Sequence, residues 1–146
     1  MSNLLSGIIA EVAIQCPSLC TARNTTLLAV KDFMTAVQVM KIAKQDLGEI
    51  LSALEFMDAE AYNLPFHYFS DLKNPFPNSS DQIYLLIETL GSNDAHDKEK
   101  LHAFMETVLT EGIVTDGILA QDLSQTQKMW KIRECITQIG RASCRE

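Results

Sequence analysis

The sequence has few basic residues, few aromatic residues and no long apolar run. Its 146 residues include 12 Lys and Arg against 19 Asp and Glu, which gives a net charge of −7. A domain that binds duplex nucleic acid normally needs a basic face, so this shortage argues against that function. The most apolar N-terminal stretch, residues 4–14, is interrupted by Glu11 and is much shorter than the roughly 20 residues that cross a bilayer. We therefore expect no membrane span.

Targeting and metal-binding signatures are absent as well. The first basic residue is Arg23, whereas a signal peptide begins with a basic region and a mitochondrial transit peptide is rich in arginine. We therefore expect neither within residues 1–22. Cys16 and Cys20 are separated by three residues, which is the spacing of neither a redox pair nor a zinc knuckle, and we expect free thiols.

Glycine and histidine are also scarce where common active sites need them. The sequence has six glycines, and no glycine-rich phosphate loop follows any predicted strand, so a Rossmann dinucleotide site is not supported. The three histidines, His67, His96 and His102, do not share a spacing that predicts a metal site. No Ser-His-Asp or Cys-His arrangement predicts a nucleophile.

The sequence does contain alternating strand-like and helix-like segments. Apolar and β-branched runs predict strands at residues 8–16, 24–30, 50–57, 82–90 and 117–122. Helical periodicity predicts helices at residues 32–45, 58–70, 94–111 and 124–138. Asp32 is the expected N-cap of the first helix, and Ser124 with Gln127 forms a capping box for the last. The proline-containing segment 71–81 is the longest predicted loop, and we expect a hinge or a boundary between two subunits of the fold there.

This order of elements predicts an α+β fold. Helices that follow pairs of strands favour a ferredoxin-like antiparallel sheet with helices packed on one face. A doubly wound parallel sheet is the alternative.

The last predicted helix contains the strongest candidate site. Its apolar residues have core spacing: Met129, Ile132, Ile136 and Ile139. Trp130, Arg133 and Thr137 lie on the adjacent face, and Arg133 and Thr137 are four residues apart, so both can reach one point. A guanidinium with a hydroxyl one turn away suits a carboxylate ligand. The alternative interpretation is an Arg133 that stacks on Trp130 and pairs with a surface acid.

Two glutamates lie inside strand-like runs. Glu55 lies between Leu54 and Phe56, and Glu88 lies between Ile87 and Thr89. A solvent-facing position is the default for a strand glutamate, and a role as a general acid is the alternative.

Three blocks of the sequence resemble one enzyme family. The blocks are residues 47–60 (LGEILSALEFMDAE), 83–101 (IYLLIETLGSNDAHDKEKL) and 115–137 (TDGILAQDLSQTQKMWKIRECIT). Together they resemble the D-2-hydroxyglutarate dehydrogenases, which are flavin enzymes of the vanillyl-alcohol oxidase type. The resemblance extends over about residues 6–138, and it is identified by long blocks rather than by a short motif.

The resemblance implies an FAD-dependent oxidation of D-2-hydroxyglutarate, a small 2-hydroxy dicarboxylate, to 2-oxoglutarate in the mitochondrial matrix. An electron-transfer flavoprotein is the implied acceptor. Arg133 matches the arginine that binds a substrate carboxylate in the family, and Thr137 matches its hydroxyl partner. Gly7 and Ile8 match the end of the flavin domain and are expected to contact FAD through backbone groups.

The resemblance also implies what other segments would supply. The glycine-rich flavin loops of the family have no counterpart in this sequence. The histidine-rich segment that holds the family's metal ligands, for a divalent metal such as zinc, has no counterpart either. We therefore expect residues 1–16 to be the end of an FAD-binding domain, 17–138 part of the substrate (cap) domain, and 139–146 a tail outside the family pattern. A fragment of this kind is expected to be inactive alone. The alternatives are a small-anion-binding ferredoxin-like module without flavin, and a fragment that does not fold stably.

Overall fold

The computed structural model describes residues 10–16 and 19–143, and it describes side chains as far as Ile136. The strands are β1 (Ala22–Val30), β2 (Leu51–Asp58), β3 (Ile83–Gly91) and β4 (Asp116–Leu119). The helices are α1 (Phe33–Asp46), α2 (Ala59–Tyr68), α3 (Asp94–Thr110) and α4 (Leu123–Ser143). None of the described helices is both long enough and apolar enough to cross a membrane.

The four strands form one antiparallel sheet. Their order is β2-β3-β1-β4, and every neighbouring pair is antiparallel. This is the strand order of a ferredoxin-like fold, built here from β1, α1, β2, β3, α3 and β4. Helix α2 is inserted between β2 and β3, and α4 follows β4. The predicted α+β class and antiparallel sheet are confirmed, and the parallel-sheet alternative is wrong.

Helices cover both faces of the sheet. On one face, Leu28 and Leu85 belong to an apolar cluster that includes residues of α1 and α3. On the other face, Leu27 and Leu86 pack with Tyr62 of α2 and with α4. The expectation of helices on one face describes α1 and α3, but α2 and α4 cover the second face. The central strands β1 and β3 are apolar on both sides, so both sides need to be shielded from water.

One strand prediction is wrong over its described part, and one loop prediction is confirmed. No strand forms over residues 10–16, which are exposed, while residues 8 and 9 lie outside the described residues. A β-branched run is not a strand by itself, since its stability comes from neighbours across the sheet. Residues 71–81 form the predicted loop, and its residues Leu72 and Phe76 are buried in the cluster of α2 and α4.

The helix ends follow local capping chemistry. Asp32 caps α1 as predicted, and its side chain accepts a hydrogen bond from the Thr35 backbone N–H at 2.8 Å. The cap of α4 is Asp122, whose Oδ1 accepts from the Gln125 N–H at 2.8 Å, so the predicted capping box at Ser124 is wrong. Helix α4 also continues past residue 138, to Ser143.

Candidate functional site

Two side chains of α4 bind two carboxylates of the sheet. The Arg133 Nε donates to Glu55 Oε2 at 3.1 Å, and the Trp130 Nε1 donates to Glu88 Oε2 at 2.8 Å. Each contact joins the C-terminal helix to a different strand, since Glu55 is in β2 and Glu88 is in β3.

The spacing of the helix and of the sheet brings these pairs together. Trp130 and Arg133 are three residues apart, so they are neighbours on one side of α4. Glu55 lies opposite Leu86 of β3, and Glu88 is two residues further along the same strand. Residues two apart on a strand point to the same face, so both carboxylates lie on the face that α4 covers.

Glu88 is a buried acid with donors around it. The residue is 5% exposed, and Arg23 of β1 places its Nε 3.7 Å from Glu88 Oε2. Thr25 lies directly opposite Glu88 across the β1–β3 pair. A carboxylate this deep in a sheet needs hydrogen-bond donors, and Trp130 supplies one. The default expectation of a solvent-facing Glu88 is therefore wrong.

The Arg133–Glu55 pair is more open than the Trp130–Glu88 pair. The Arg133 side chain is 31% exposed and the Glu55 side chain is 39% exposed. The contact uses Nε, and among the described side chains no hydrogen bond to the terminal nitrogens of Arg133 is formed. A guanidinium held at Nε still offers the donors that bind a carboxylate through two parallel hydrogen bonds.

Of the predicted site residues, only Arg133 has a described side chain. Arg133 pairs with an acid, as the alternative interpretation has it, but Trp130 binds Glu88 instead. Thr137 is in α4, one turn beyond Arg133, and its side chain lies outside the described part. Gly7 and Ile8 also lie outside the described residues. The roles of these four residues, Arg133, Thr137, Gly7 and Ile8, therefore stay predictions.

Metal and thiol chemistry is not assembled in the described part of the chain. Among residues 10–16 and 19–143, no group of three His, Cys, Asp or Glu side chains is placed to hold a metal ion. Cys16, Cys20 and Cys135 are free thiols, the first two exposed and the third buried.

Comparison with known proteins identifies the domain. The family model for the C-terminal domain of FAD linked oxidases matches residues 20–145. The chain belongs to the FAD-linked oxidase family. The match covers the whole described sheet and its four helices, including the helix that carries Arg133. It also includes most of residues 139–146, for which the sequence predicts a tail outside the family pattern.

Several curated relatives of this FAD-linked oxidase domain have related names. A probable mitochondrial D-2-hydroxyglutarate dehydrogenase of Oryza sativa subsp. indica is 41% identical over 132 residues, which is 90% of this chain and 24% of the relative. The mitochondrial D-2-hydroxyglutarate dehydrogenase of Rattus norvegicus is 42% identical over the same length, with the same coverage. A D-2-hydroxyglutarate–pyruvate transhydrogenase of Saccharomyces cerevisiae is 34% identical over 130 residues, covering 89% of this chain and 26% of the relative. The chain thus spans about a quarter of the length of these relatives.

The described residues do not fit the diphosphate of FAD. A diphosphate is commonly bound by free N–H groups at a helix N-terminus beside small residues. Here acidic or amide side chains cap the described helix starts: Asp32, Asp58, Asn93 and Asp122. Added side-chain atoms at Gly91 or Gly117 would meet packed side chains rather than open space. The described helix starts therefore offer no open set of backbone N–H groups to a diphosphate.

Proposed function

We propose that this domain is the substrate-binding part of an FAD-dependent dehydrogenase that oxidises D-2-hydroxyglutarate to 2-oxoglutarate. The main support is Arg133, a partly exposed guanidinium that Glu55 holds at Nε on a fixed helix. The names of the relatives supply the substrate class. In this proposal residues 17–138 belong to the substrate domain, and Gly7 and Ile8 contact FAD.

The proposed role of Arg133 is to bind one carboxylate of the substrate. Its terminal nitrogens form a planar fork that matches the two oxygens of a carboxylate. Thr137, one turn further along α4, adds a hydroxyl donor to the same carboxylate. Binding in this way fixes one end of a dicarboxylate and so places the hydroxyl-bearing carbon at a defined distance from the helix.

The cellular setting belongs to the same proposal. The relatives are named as mitochondrial enzymes, so we place the whole protein in the mitochondrial matrix. An electron-transfer flavoprotein is the acceptor that the family resemblance implies. A divalent metal such as zinc belongs to the same proposal, with its ligands supplied by other segments.

The test is substitution of Arg133 in the flavin-loaded protein that contains this segment. We expect Arg133→Ala to lose about 1.5–3 kcal/mol of substrate interaction, since a hydrogen bond to a charged group is removed. That loss is roughly 10- to 150-fold in kcat/KM for D-2-hydroxyglutarate, with flavin content unchanged. Arg133→Lys restores only part of it, because an ammonium is a point charge and not a fork.

The matched control is Lys128→Ala, which removes an exposed cation from the same helix and is expected to leave kcat/KM unchanged. Wild-type kcat/KM in Arg133→Ala would show that Arg133 does not bind the substrate. A protein that binds 2-oxoglutarate through Arg133 but never retains flavin would favour the alternative, a small-anion-binding module.

A further inference from the structure

We infer that Glu55 is a positioning residue for Arg133. The inference rests on the proposed function, because it concerns how the proposed carboxylate-binding side chain is held. Arginine has a long flexible stem, and an unsupported guanidinium samples many orientations. The hydrogen bond from Arg133 Nε to Glu55 Oε2, 3.1 Å long, removes much of that freedom before any ligand arrives.

The edge of the guanidinium that Glu55 contacts is the important detail. A carboxylate can approach arginine along the side that includes Nε or at the end formed by the two terminal nitrogens. Glu55 occupies the Nε position, so a second carboxylate is directed to the terminal nitrogens. Glu55 thus selects the binding direction of the ligand as well as the orientation of Arg133.

The surroundings of Glu55 agree with positioning rather than with stabilisation of the fold. Both partners are partly exposed, at 31% for Arg133 and 39% for Glu55, and exposed ion pairs contribute little to stability. Other contacts hold α4 against the sheet. Trp130 binds the buried Glu88, and Met129 and Ile132 are 4% and 2% exposed. The helix can therefore stay in place when Glu55 is changed.

The experiment measures kcat and KM for D-2-hydroxyglutarate, and calorimetric binding of 2-oxoglutarate, in the flavin-loaded protein. We expect Glu55→Ala to lower kcat/KM about tenfold, mainly through a higher KM, and to weaken binding by a similar factor. Glu55→Gln keeps an oxygen acceptor in the same place. We therefore expect its loss of kcat/KM, on a logarithmic scale, to be less than half of the loss in Glu55→Ala. Glu106→Gln, an exposed position on α3 across the sheet, is the matched control and should equal the wild type.

The decisive comparison is the double variant Glu55→Ala/Arg133→Ala. If Glu55 acts through Arg133, the double variant has the kcat/KM of Arg133→Ala within about twofold. If Glu55→Ala costs the same factor with and without Arg133, Glu55 acts independently and the inference is wrong.

Two further outcomes separate this inference from the proposed function. If Arg133→Ala lowers kcat/KM but Glu55→Ala does not, the inference is wrong and the proposed function stands. If Arg133→Ala itself leaves kcat/KM unchanged, the proposed site is wrong and the role of Glu55 falls with it. Should Glu55→Ala lose flavin or fail to fold, Glu55→Leu, which keeps much of the side-chain volume but has no acceptor, and its own double variant with Arg133→Ala give the same comparison.

Discussion

Trp130 and Glu88 join the C-terminal helix to the middle of the sheet through one hydrogen bond of 2.8 Å. Glu88 is 5% exposed, and the nearest cation in an ion pair with it is Arg23 at 3.7 Å. Removing the indole donor therefore leaves a buried carboxylate with poorer solvation than before. This relationship makes Trp130 a structural residue as well as a neighbour of Arg133.

Trp130→Phe should lower the free energy of unfolding by about 1–3 kcal/mol, because Glu88 loses its short hydrogen bond while the aromatic bulk is largely kept. Urea unfolding of the two proteins gives the difference. Leu123→Ala, at a position of the same helix that is 65% exposed, serves as the control and should change stability little. Equal stability of Trp130→Phe and the wild type would show that the hydrogen bond adds nothing.

Gly91→Ala should destabilise the fold by about 1–3 kcal/mol through overpacking. A β-carbon at Gly91 would lie 2.6 Å from Cγ of Asp97, whose side chain is itself buried against the strand. Thermal unfolding measures the loss. Gly112→Asn is the control: Gly112 has φ +66 and open space around it, and asparagine tolerates this left-handed conformation. A Tm of Gly91→Ala as high as that of the control would contradict the close packing.

Acid should weaken the first helix through its cap. Hydrogen bonds from the backbone N–H and hydroxyl of Thr35 lower the pKa of Asp32 below its ordinary value of 3.8. A lowered pKa means that the stability from this carboxylate is full above 3.8 and is lost as the pH falls through the folded-state value. Asp32→Asn keeps a good cap that does not titrate. The stability of the wild type relative to Asp32→Asn should therefore fall as the pH is lowered below about 4. A difference that is constant over this range would refute the assignment.

The thiols should differ in reactivity. Cys16 and Cys20 are exposed, whereas Cys135 is 2% exposed and its burial raises the pKa of the thiol. Iodoacetamide at about pH 8 should therefore modify Cys16 and Cys20 at least about tenfold faster than Cys135, since the thiolate is the nucleophile. Peptide mass spectrometry gives the three rates. In denaturant the rates should converge, and equal rates in the native protein would contradict the burial of Cys135.

Local signals explain which elements could be predicted from the sequence. Residues 24–30 and 82–90 are rich in apolar and β-branched residues, and both form central strands. Asp32 lies just before a helical apolar pattern and caps it. The strand predicted at residues 8–16 fails over its described part because a strand needs a partner, which periodicity does not report. The capping box at Ser124 fails because Asp122, two residues earlier, offers a competing carboxylate.

For a similar reason, Arg133 could be predicted from the sequence but its partner could not. Helical spacing and family resemblance both single out Arg133, since its neighbours on α4 are local in sequence. Its partner Glu55 is 78 residues away, and the partner of Trp130 is 42 residues away. No spacing rule connects a helix to the strand that it crosses. The one available signal was a glutamate within the apolar run 82–90, since an acid in a strand buried on both faces must find a donor.

The strand order has a consequence for the timing of assembly. The face that receives α4 includes Leu27 of β1, Met57 of β2 and Tyr84 of β3, with Ile118 of β4 packed against them. Helix α4 can dock only after these distant segments have closed their long loops, which is the slow part of folding for a nonlocal sheet. Trp130 is the one tryptophan in the sequence, and it sits at this junction. A change in its fluorescence during folding therefore reports the docking of α4, the step that brings Arg133 to Glu55.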